Sequence, residues 1–445
     1  MLVLVQMREH PNEKTRMAKQ NNSRNISVYA HWSGMEDPLL MGVLHSDRLK
    51  GKEVFSFEYI DEWLKNGPAQ LLDPSLQLYT GLHYLNDVQD NFGIFLDSSP
   101  DRWGRILMRR REAAFARNEN REEKKLFETD YLLGVYDGHR MGALRFKLED
   151  DGPFLNDNKN MASPPWTSLR ELEQISLRLE DDDVIDDPEY LKWLSMLIAP
   201  GASLGGARPK ASIVDNDGNL WIAKFPSRND QGDIGGWEIV TYELAILAGI
   251  NMAESKAQKF SSDYYTFLTK RFDRGNNGQR IHFASAMTIL GYIDGQDHAD
   301  GASYLELVDF IQKNGANVDQ DLEQLWRRIV FSICVTNTDD HLRNHGFLLT
   351  NDGWVLSPAY DINPVENGSG LKLNISDEDN SLDLNLAMEV SEFFRLSEKR
   401  ATEIIDEVLN AVANWREVAI KYKISRVEQE LKALAFKIKK NQKNK

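Results

Sequence analysis

Two strand–turn–strand signals constrain this chain more than any other feature. Ala211-Ser212-Ile213-Val214, the turn Asp215-Asn216-Asp217-Gly218-Asn219 and Leu220-Trp221-Ile222-Ala223-Lys224-Phe225 predict one antiparallel hairpin. Gly346-Phe347-Leu348-Leu349 and Trp354-Val355-Leu356, turned at Asn351-Asp352-Gly353, predict a second. Helical periodicity surrounds them. A helix is expected from about Trp237, with Val240, Leu244 and Leu247 on one face and Gly249 just past its end. Thr266-Phe267-Leu268-Thr269 reads as a strand. Beyond 300 the chain is mainly helical: Leu322, Trp326, Ile329 and Ile333 step by three or four, as do Ile404, Val408, Val412, Trp415 and Ala419.

Upstream, residues 26–148 mix strand-like stretches (Ile26 to Ala30, Ala143 to Phe146) with a helix expected after Asp101 that carries Trp103, Ile106, Leu107 and Arg109-Arg110-Arg111. Residues 1–25 read as a loose tail, 149–166 as a linker, and the basic residues 437–445 as a frayed end. The expected organisation is therefore a tail (1–25), an N-terminal mixed α/β subdomain (26–148), a region built around the first hairpin (149–275) and a helical C-terminal domain (276–445). A length of 445 residues fits two or three such units.

Composition removes several classes of function. With 41% apolar residues the chain can bury a sizeable core. Its 53 basic and 69 acidic residues give a net charge of −16, unsuited to coating nucleic acid or anionic membrane with the whole surface. A single cysteine, Cys334, excludes an internal disulfide and a cysteine-cluster zinc site. No apolar run is long enough for a bilayer, and the N-terminus lacks a basic leader, so a soluble, cytoplasmic protein is expected. The acidic runs Glu180 to Asp183 and Asp186-Asp187 are expected to be solvated loops, since no glycine spaces them as a calcium loop requires.

The stretch richest in chemistry is Thr336-Asn337-Thr338-Asp339-Asp340-His341-Leu342-Arg343-Asn344-His345-Gly346, between an amphipathic helix and the second hairpin; Tyr360-Asp361 follows that hairpin. Phosphoryl transfer needs oxygen ligands for magnesium and a carboxylate beside the attacking hydroxyl. Asp339 and Asn344 stand five residues apart, the spacing of base and metal-binding Asn in a protein-kinase catalytic loop, and Asp361 takes the place of the second metal carboxylate. His341 and His345 admit a rival zinc reading, although Gly346 makes a loop the better expectation there than a helix. Upstream lie a glycine-rich stretch, Gly201 to Lys210, a strand lysine, Lys224, and Glu238 on the next helix as its partner. Loop, lysine strand, glutamate helix, strand, base loop and metal aspartate occur in the order a bilobal kinase requires.

These residues resemble the HipA-type serine/threonine kinases, toxins of bacterial toxin–antitoxin operons. The resemblance rests on Phe95 to Arg105, Ser203 to Lys210, Ile222 to Pro226, Arg271-Phe272-Asp273-Arg274, Asn337 to Asn344 and Pro358 to Ile362. It implies an α+β, bilobal kinase-like fold with an N-terminal mixed α/β region, a nucleotide-binding N-lobe-like region over 149–275 and an all-helical C-terminal domain, 276–445, that holds the catalytic loop and metal site. It implies that Asp339 is the catalytic base and that Asn344 and Asp361 hold Mg2+. ATP would be bound through Gly205, Gly206, Ala207, Lys210, Lys224 and Glu238, the hinge Lys270-Arg271-Phe272, His341, Arg343 and Tyr360. Ser203 would be the autophosphorylated loop serine. The implied partners are a helix-turn-helix antitoxin, with DNA reached only through it, and a protein substrate such as an aminoacyl-tRNA synthetase; no membrane is involved. Two alternatives stand beside this reading: a small-molecule or lipid kinase on the same scaffold, and a catalytically dead antitoxin-binding corepressor.

Overall fold

Five antiparallel strands build the N-terminal block in the computed structural model, which describes residues 23–436 except 87, 160–161, 199–207 and 276–277, together with the side chains of 182 and 183. In chain order they are β1 (Ser23–Ala30), β2 (Leu39–Leu49), β3 (Lys52–Tyr59), β4 (Leu82–Tyr84) and β5 (Leu144–Lys147), arranged β4-β3-β2-β1-β5. The tight turn between β2 and β3 uses Lys50 and Gly51, both at positive φ (50° and 79°), which matches the twist of a two-residue hairpin. Ile26, Val28, Met41, Leu44, Phe55 and Phe57 line the inner face and meet Phe92 and Phe95.

The second sheet runs β6 (Lys210–Val214), β7 (Leu220–Lys224), β9 (Thr266–Lys270) and β8 (Ser255–Gln258), all antiparallel. The first predicted hairpin is β6–β7: Asp215 accepts the Asp217 and Asn219 N–H groups, and Gly218 takes φ 83°. The helix Ile234–Leu247 begins three residues before Trp237 because Asp233 caps it, its carboxylate accepting from the Gly236 N–H at 2.8 Å. Val240 and Leu244 are buried as expected, whereas Leu247 is 60% exposed, one turn beyond the packed face.

The third sheet is β10 (Phe283–Ser285), β11 (Gly346–Thr350) and β12 (Gly353–Leu356). The second predicted hairpin is β11–β12, but β10 joins it, so the C-terminal region is not all-helical. The helix Val318–Val335 passes through the core with Leu322, Leu325, Trp326, Ile329, Val330 and Ile333 fully buried. The period running from Ile404 to Ala419 breaks at Ala413-Asn414 into two helices, Glu398–Val412 and Trp415–Lys421. The Ser397 hydroxyl caps the first of these, accepting from the Arg400 N–H at 3.2 Å. Ser397→Ala is expected to cost about 1 kcal/mol in urea unfolding. Among the described residues no helix is long and apolar enough to cross a membrane.

The N-terminal block is fastened to both other sheets by one short segment. The Asp97 carboxylate accepts from the Ser285 N–H and hydroxyl, both at 2.8 Å. Asp101 caps the helix Arg102–Asn118 through the Gly104 N–H and also takes the Lys210 ammonium at 2.9 Å, both side chains being buried. The Trp103 indole N–H donates to the Lys210 carbonyl at 3.0 Å. The stretch from Phe95 to Arg105 thus grips the end of β10 and the start of β6. Arg271, Asp273 and Arg274 make a second fastening: Asp273 accepts the Gly142 N–H, and the two arginines donate to the His139, Arg140 and Gly142 carbonyls.

Candidate active site

Lys224 ends β7, and its side chain turns into the body of the protein. Its ammonium donates to Glu238 at 2.5 Å and to Asp361 at 2.6 Å. Burial works against the charge on Lys224, but Asp361 and Glu238 together outweigh it and hold the ammonium above its usual pKa. Burial raises the Glu238 carboxyl beyond what Lys224 recovers. At Asp361 the balance is reversed: burial opposes the charge, yet Lys224 wins and the carboxyl lies below its usual value. The result is an ionised carboxylate beside a charged lysine.

Asp361 reaches this position through a left-handed backbone conformation, φ 57°. The cost for a non-glycine residue is compensated by the ammonium bond and by the Asn363 side-chain amide, which donates to the same carboxylate oxygen at 3.3 Å. Asn363 was not legible as a site residue, since a single Asn two positions on carries no motif.

The helix Val318–Val335 stops at Thr336, which is left-handed at φ 51°, and releases the loop 337–345. Asp340 is the buried anchor of this loop: it accepts the Tyr304 hydroxyl at 2.5 Å and faces the His345 ring at 3.1 Å. Burial disfavours its charge, but His345 and Tyr304 more than offset that, and its carboxyl is depressed. Asp339, its neighbour, faces the opposite way. It is exposed, and among the described residues its carboxylate has no hydrogen bond or ion pair. Its carbonyl accepts the Asn344 side-chain N–H at 3.0 Å and the His341 backbone N–H at 2.9 Å. A short 3-10 turn, Leu342–Asn344, forms this unit, so His341 and His345 do not share a helix face: His345 packs inward on Asp340 while His341 lines the cleft. That removes the basis of the zinc alternative.

The cleft encloses about 460 Å3 and has Asp339, His341, Arg343, Asp294, Arg102 and Lys372 on its walls. Arg102 and Arg343 each stand near Asp294, at 3.7 and 3.6 Å. The Tyr360 hydroxyl donates to the Arg343 carbonyl at 2.7 Å, and its ring lies 5.4 Å from that of Phe272, in an apolar group with Ile222, Met141 and Phe283.

The donor set suits a hard cation. The Asn344 amide nitrogen is spent on the Asp339 carbonyl, which leaves its oxygen as the coordinating end, and Asp361 is kept ionised by Lys224. Among the described residues no three His, Cys, Asp or Glu side chains form a closed cage. One carboxylate, one amide oxygen and phosphate oxygens are what magnesium accepts in nucleotide sites.

Of the other expected site residues, Lys210 stands opposite Lys224 in the β6–β7 register, with its ammonium on Asp101. Lys270 is near Glu254 at 3.4 Å. The Arg271 guanidinium points away, into the N-terminal block, and its backbone N–H is taken by the Leu220 carbonyl at 2.9 Å. Ser203, Gly205, Gly206 and Ala207 lie outside the described residues. Asp294 and Arg102 on the cleft wall, and Asp97 in an adjoining cavity that shares both, are site elements the sequence reading lacks, although Asp97 and Arg102 fall inside a motif visible in the sequence.

Residues 202–415 match the family model of the HipA-like C-terminal domain. The serine/threonine-protein kinase toxin HipA of Shewanella oneidensis is 26% identical over 271 residues, covering 53% of this chain and 60% of that protein. A candidate kinase of Haemophilus influenzae is 27% identical over 184 residues, covering 36% of this chain and 52% of the relative. These alignments span between about half and three fifths of the relatives' lengths. The solved complex of Shewanella oneidensis HipA with HipB and operator DNA superposes with a TM-score of 0.60 at 17% identity, over 92% of this chain and 94% of that one, which shows a shared fold.

Proposed function

We propose that this chain, whose residues 202–415 match the HipA-like C-terminal domain, is a HipA-type kinase, dependent on ATP and Mg2+, that phosphorylates serine or threonine on a protein. The observation that carries this reading is the Glu238–Lys224–Asp361 group, in which Lys224 and Glu238 are buried, together with a loop whose exposed Asp339 carboxylate has no partner among the described residues.

Asp339 accepts the proton of the target hydroxyl as that oxygen bonds to the γ-phosphorus and the bond to the ADP oxygen breaks. Lys224, oriented by Glu238, places its charge against the phosphates. Asn344 and Asp361 would hold Mg2+, which when bound neutralises phosphate charge. Phe272 and Tyr360 offer an apolar face to the adenine, and His341 and Arg343 line the phosphate side. The loop Gly205-Gly206-Ala207 would cover the phosphates, with Lys210 at its base.

We assign the protein, further, to the toxin half of a toxin–antitoxin pair. A relative of like fold is named a kinase toxin and was solved with HipB and operator DNA, so the partner proposed here is a DNA-binding helix-turn-helix antitoxin. The proposed target is a translation component such as an aminoacyl-tRNA synthetase, and the proposed setting is the cytoplasm. Ser203 would be the off switch, because a phosphate there adds up to about two negative charges beside those of ATP.

Incubation with ATP and Mg2+, followed by mass spectrometry of protein and small-molecule fractions, tests the reading. Phosphate on Ser or Thr of a protein is the expected result. Phosphate found only on small molecules would establish the small-molecule or lipid kinase instead. Absence of Mg2+-dependent nucleotide binding would establish the corepressor. Asn344→Ala is expected to raise the Mg2+ concentration needed for half-maximal activity roughly 10–100-fold, with partial recovery at high Mg2+; a rate loss that no amount of Mg2+ relieves would remove Asn344 from the metal site.

A further inference from the structure

The cleft beside Asp339 continues into a second cavity. Arg102, Met287, Ile293, Asp294 and Arg343 line both, and the second, of about 270 Å3, is completed by residues of the N-terminal block, chiefly Val88, Leu96, Pro100 and Arg105. The shared wall makes the two one groove of two compartments. Asp339 stands in the first, whereas Lys224, Glu238 and Asp361 line neither. On the kinase reading proposed above, the groove therefore lies on the acceptor's side of the base and not on the nucleotide's.

The shared wall holds itself together weakly. Arg102 and Arg343 approach Asp294 at 3.7 and 3.6 Å, beyond hydrogen-bond range, and the Arg102 and Asp294 side chains are 68% and 56% exposed. Exposed pairs of this kind contribute little to stability, so an incoming polypeptide can part them.

In the second compartment most charges are already committed. Arg105 gives both ends of its guanidinium to Glu128, at 2.5 and 2.7 Å. Asp101 holds the Lys210 ammonium, and Asp97 accepts from Ser285. Asp90 is exposed to solvent. The surface left for a ligand is apolar: Val88, Leu96, Pro100, Met287 and Ile293. Val88 is 69% exposed, so its side chain gains from being covered. Such walls favour a side chain that brings no charge, since a charge seated there would lose water and find no free partner.

We propose that this second compartment selects the protein substrate: an apolar side chain a few residues from the target Ser or Thr seats against Val88 and Leu96 while the target hydroxyl lies at Asp339. The proposal rests on the kinase reading and adds to it a specificity device. Val88, Leu96 and Pro100, which take no part in phosphoryl transfer, become the residues that read the substrate's sequence.

Phosphorylation of a peptide library by the full chain with ATP and Mg2+ tests this, each peptide carrying a fixed central Ser or Thr between randomised flanks. One flanking position is expected to be enriched in Leu, Ile, Met or Phe. Replacing that residue by Ala in the best peptide should lower kcat/KM about 10–100-fold, through KM and not kcat. Val88→Glu should abolish the apolar preference and select Lys or Arg at the same position. Should that variant fail to fold, Val88→Thr, of the same shape, takes its place, with a weakened preference expected. Flanks without an apolar preference, a preference that the Val88 variant leaves intact, or transfer to intact proteins but to no peptide would overturn the proposal and leave the kinase reading standing. Transfer to neither proteins nor peptides would remove the kinase reading itself, and the proposal with it.

Discussion

Asp339→Asn is expected to slow phosphoryl transfer by about 10²–10⁴-fold, the usual worth of a positioned general base, and to leave the unfolding midpoint where it was. Both halves follow from one contrast. Asp340 is buried and bound by Tyr304 and His345, so it holds the loop. Asp339 is exposed, and its carboxylate contributes no bond among the described residues. Removing its charge therefore takes away chemistry without structure, and surface changes of this kind usually stay within about 0.5 kcal/mol. Initial rates with ATP and Mg2+, set beside urea unfolding of the same preparation, measure the pair. A variant that turns over at the wild-type rate would refute the base assignment; one that is inactive because it has unfolded would mean that the two aspartates have exchanged roles.

Lys224→Met is expected to abolish activity and to destabilise the fold by about 3–5 kcal/mol, since it leaves buried carboxylates without their cation. The loss should depend on pH. In the wild type, Asp361 has a depressed carboxyl pKa, so its contribution to stability is present above the unfolded carboxyl value and is lost as pH falls through the depressed one. Without Lys224, burial and mutual repulsion raise both Glu238 and Asp361, the folded state gains protons, and the penalty grows with pH. Urea unfolding should show a wider gap between wild type and variant at pH 7.5 than at pH 4.5. Adding Glu238→Gln to the variant should recover part of the stability but none of the activity. An equal gap at both pH values would mean that the ammonium does not compensate these acids.

Legibility followed the range of each interaction. The two hairpins could be read because their Asp/Gly and Asn-Asp-Gly turns are local chemistry, and both occur as β6–β7 and β11–β12. The buried helix Val318–Val335 could be read because its period is unbroken. The β2–β3 hairpin is not legible: the face that carries Leu44, Phe55 and Phe57 continues into Ser46, Arg48 and Glu53, which breaks the apolar alternation, and its Lys50-Gly51 turn is a weak motif. β10 is three residues long and exists only because β11 pairs with it. At the site, Lys224, Glu238 and Asp361 were named from their order along the chain, and the fold brings them within hydrogen-bond reach. What order could not convey is the third dimension. Nothing local says that Lys210 is neutralised by Asp101, more than a hundred residues away, or that the Arg271 side chain leaves the cleft altogether.

The clamp formed by Asp97 and Asp101 limits how this molecule can breathe. In a two-lobed enzyme the lobes can swing apart about a hinge to exchange nucleotide. Here the five residues from Asp97 to Asp101 are pinned at Ser285 in the third sheet and at Lys210 in the second, like a turnbuckle between two plates. Swinging the plates apart would strip a buried carboxylate of its donors or a buried ammonium of its counter-ion. If the proposed kinase reading holds, admission and release of nucleotide would therefore fall to loop and side-chain rearrangement at the rim, with the two plates keeping their spacing.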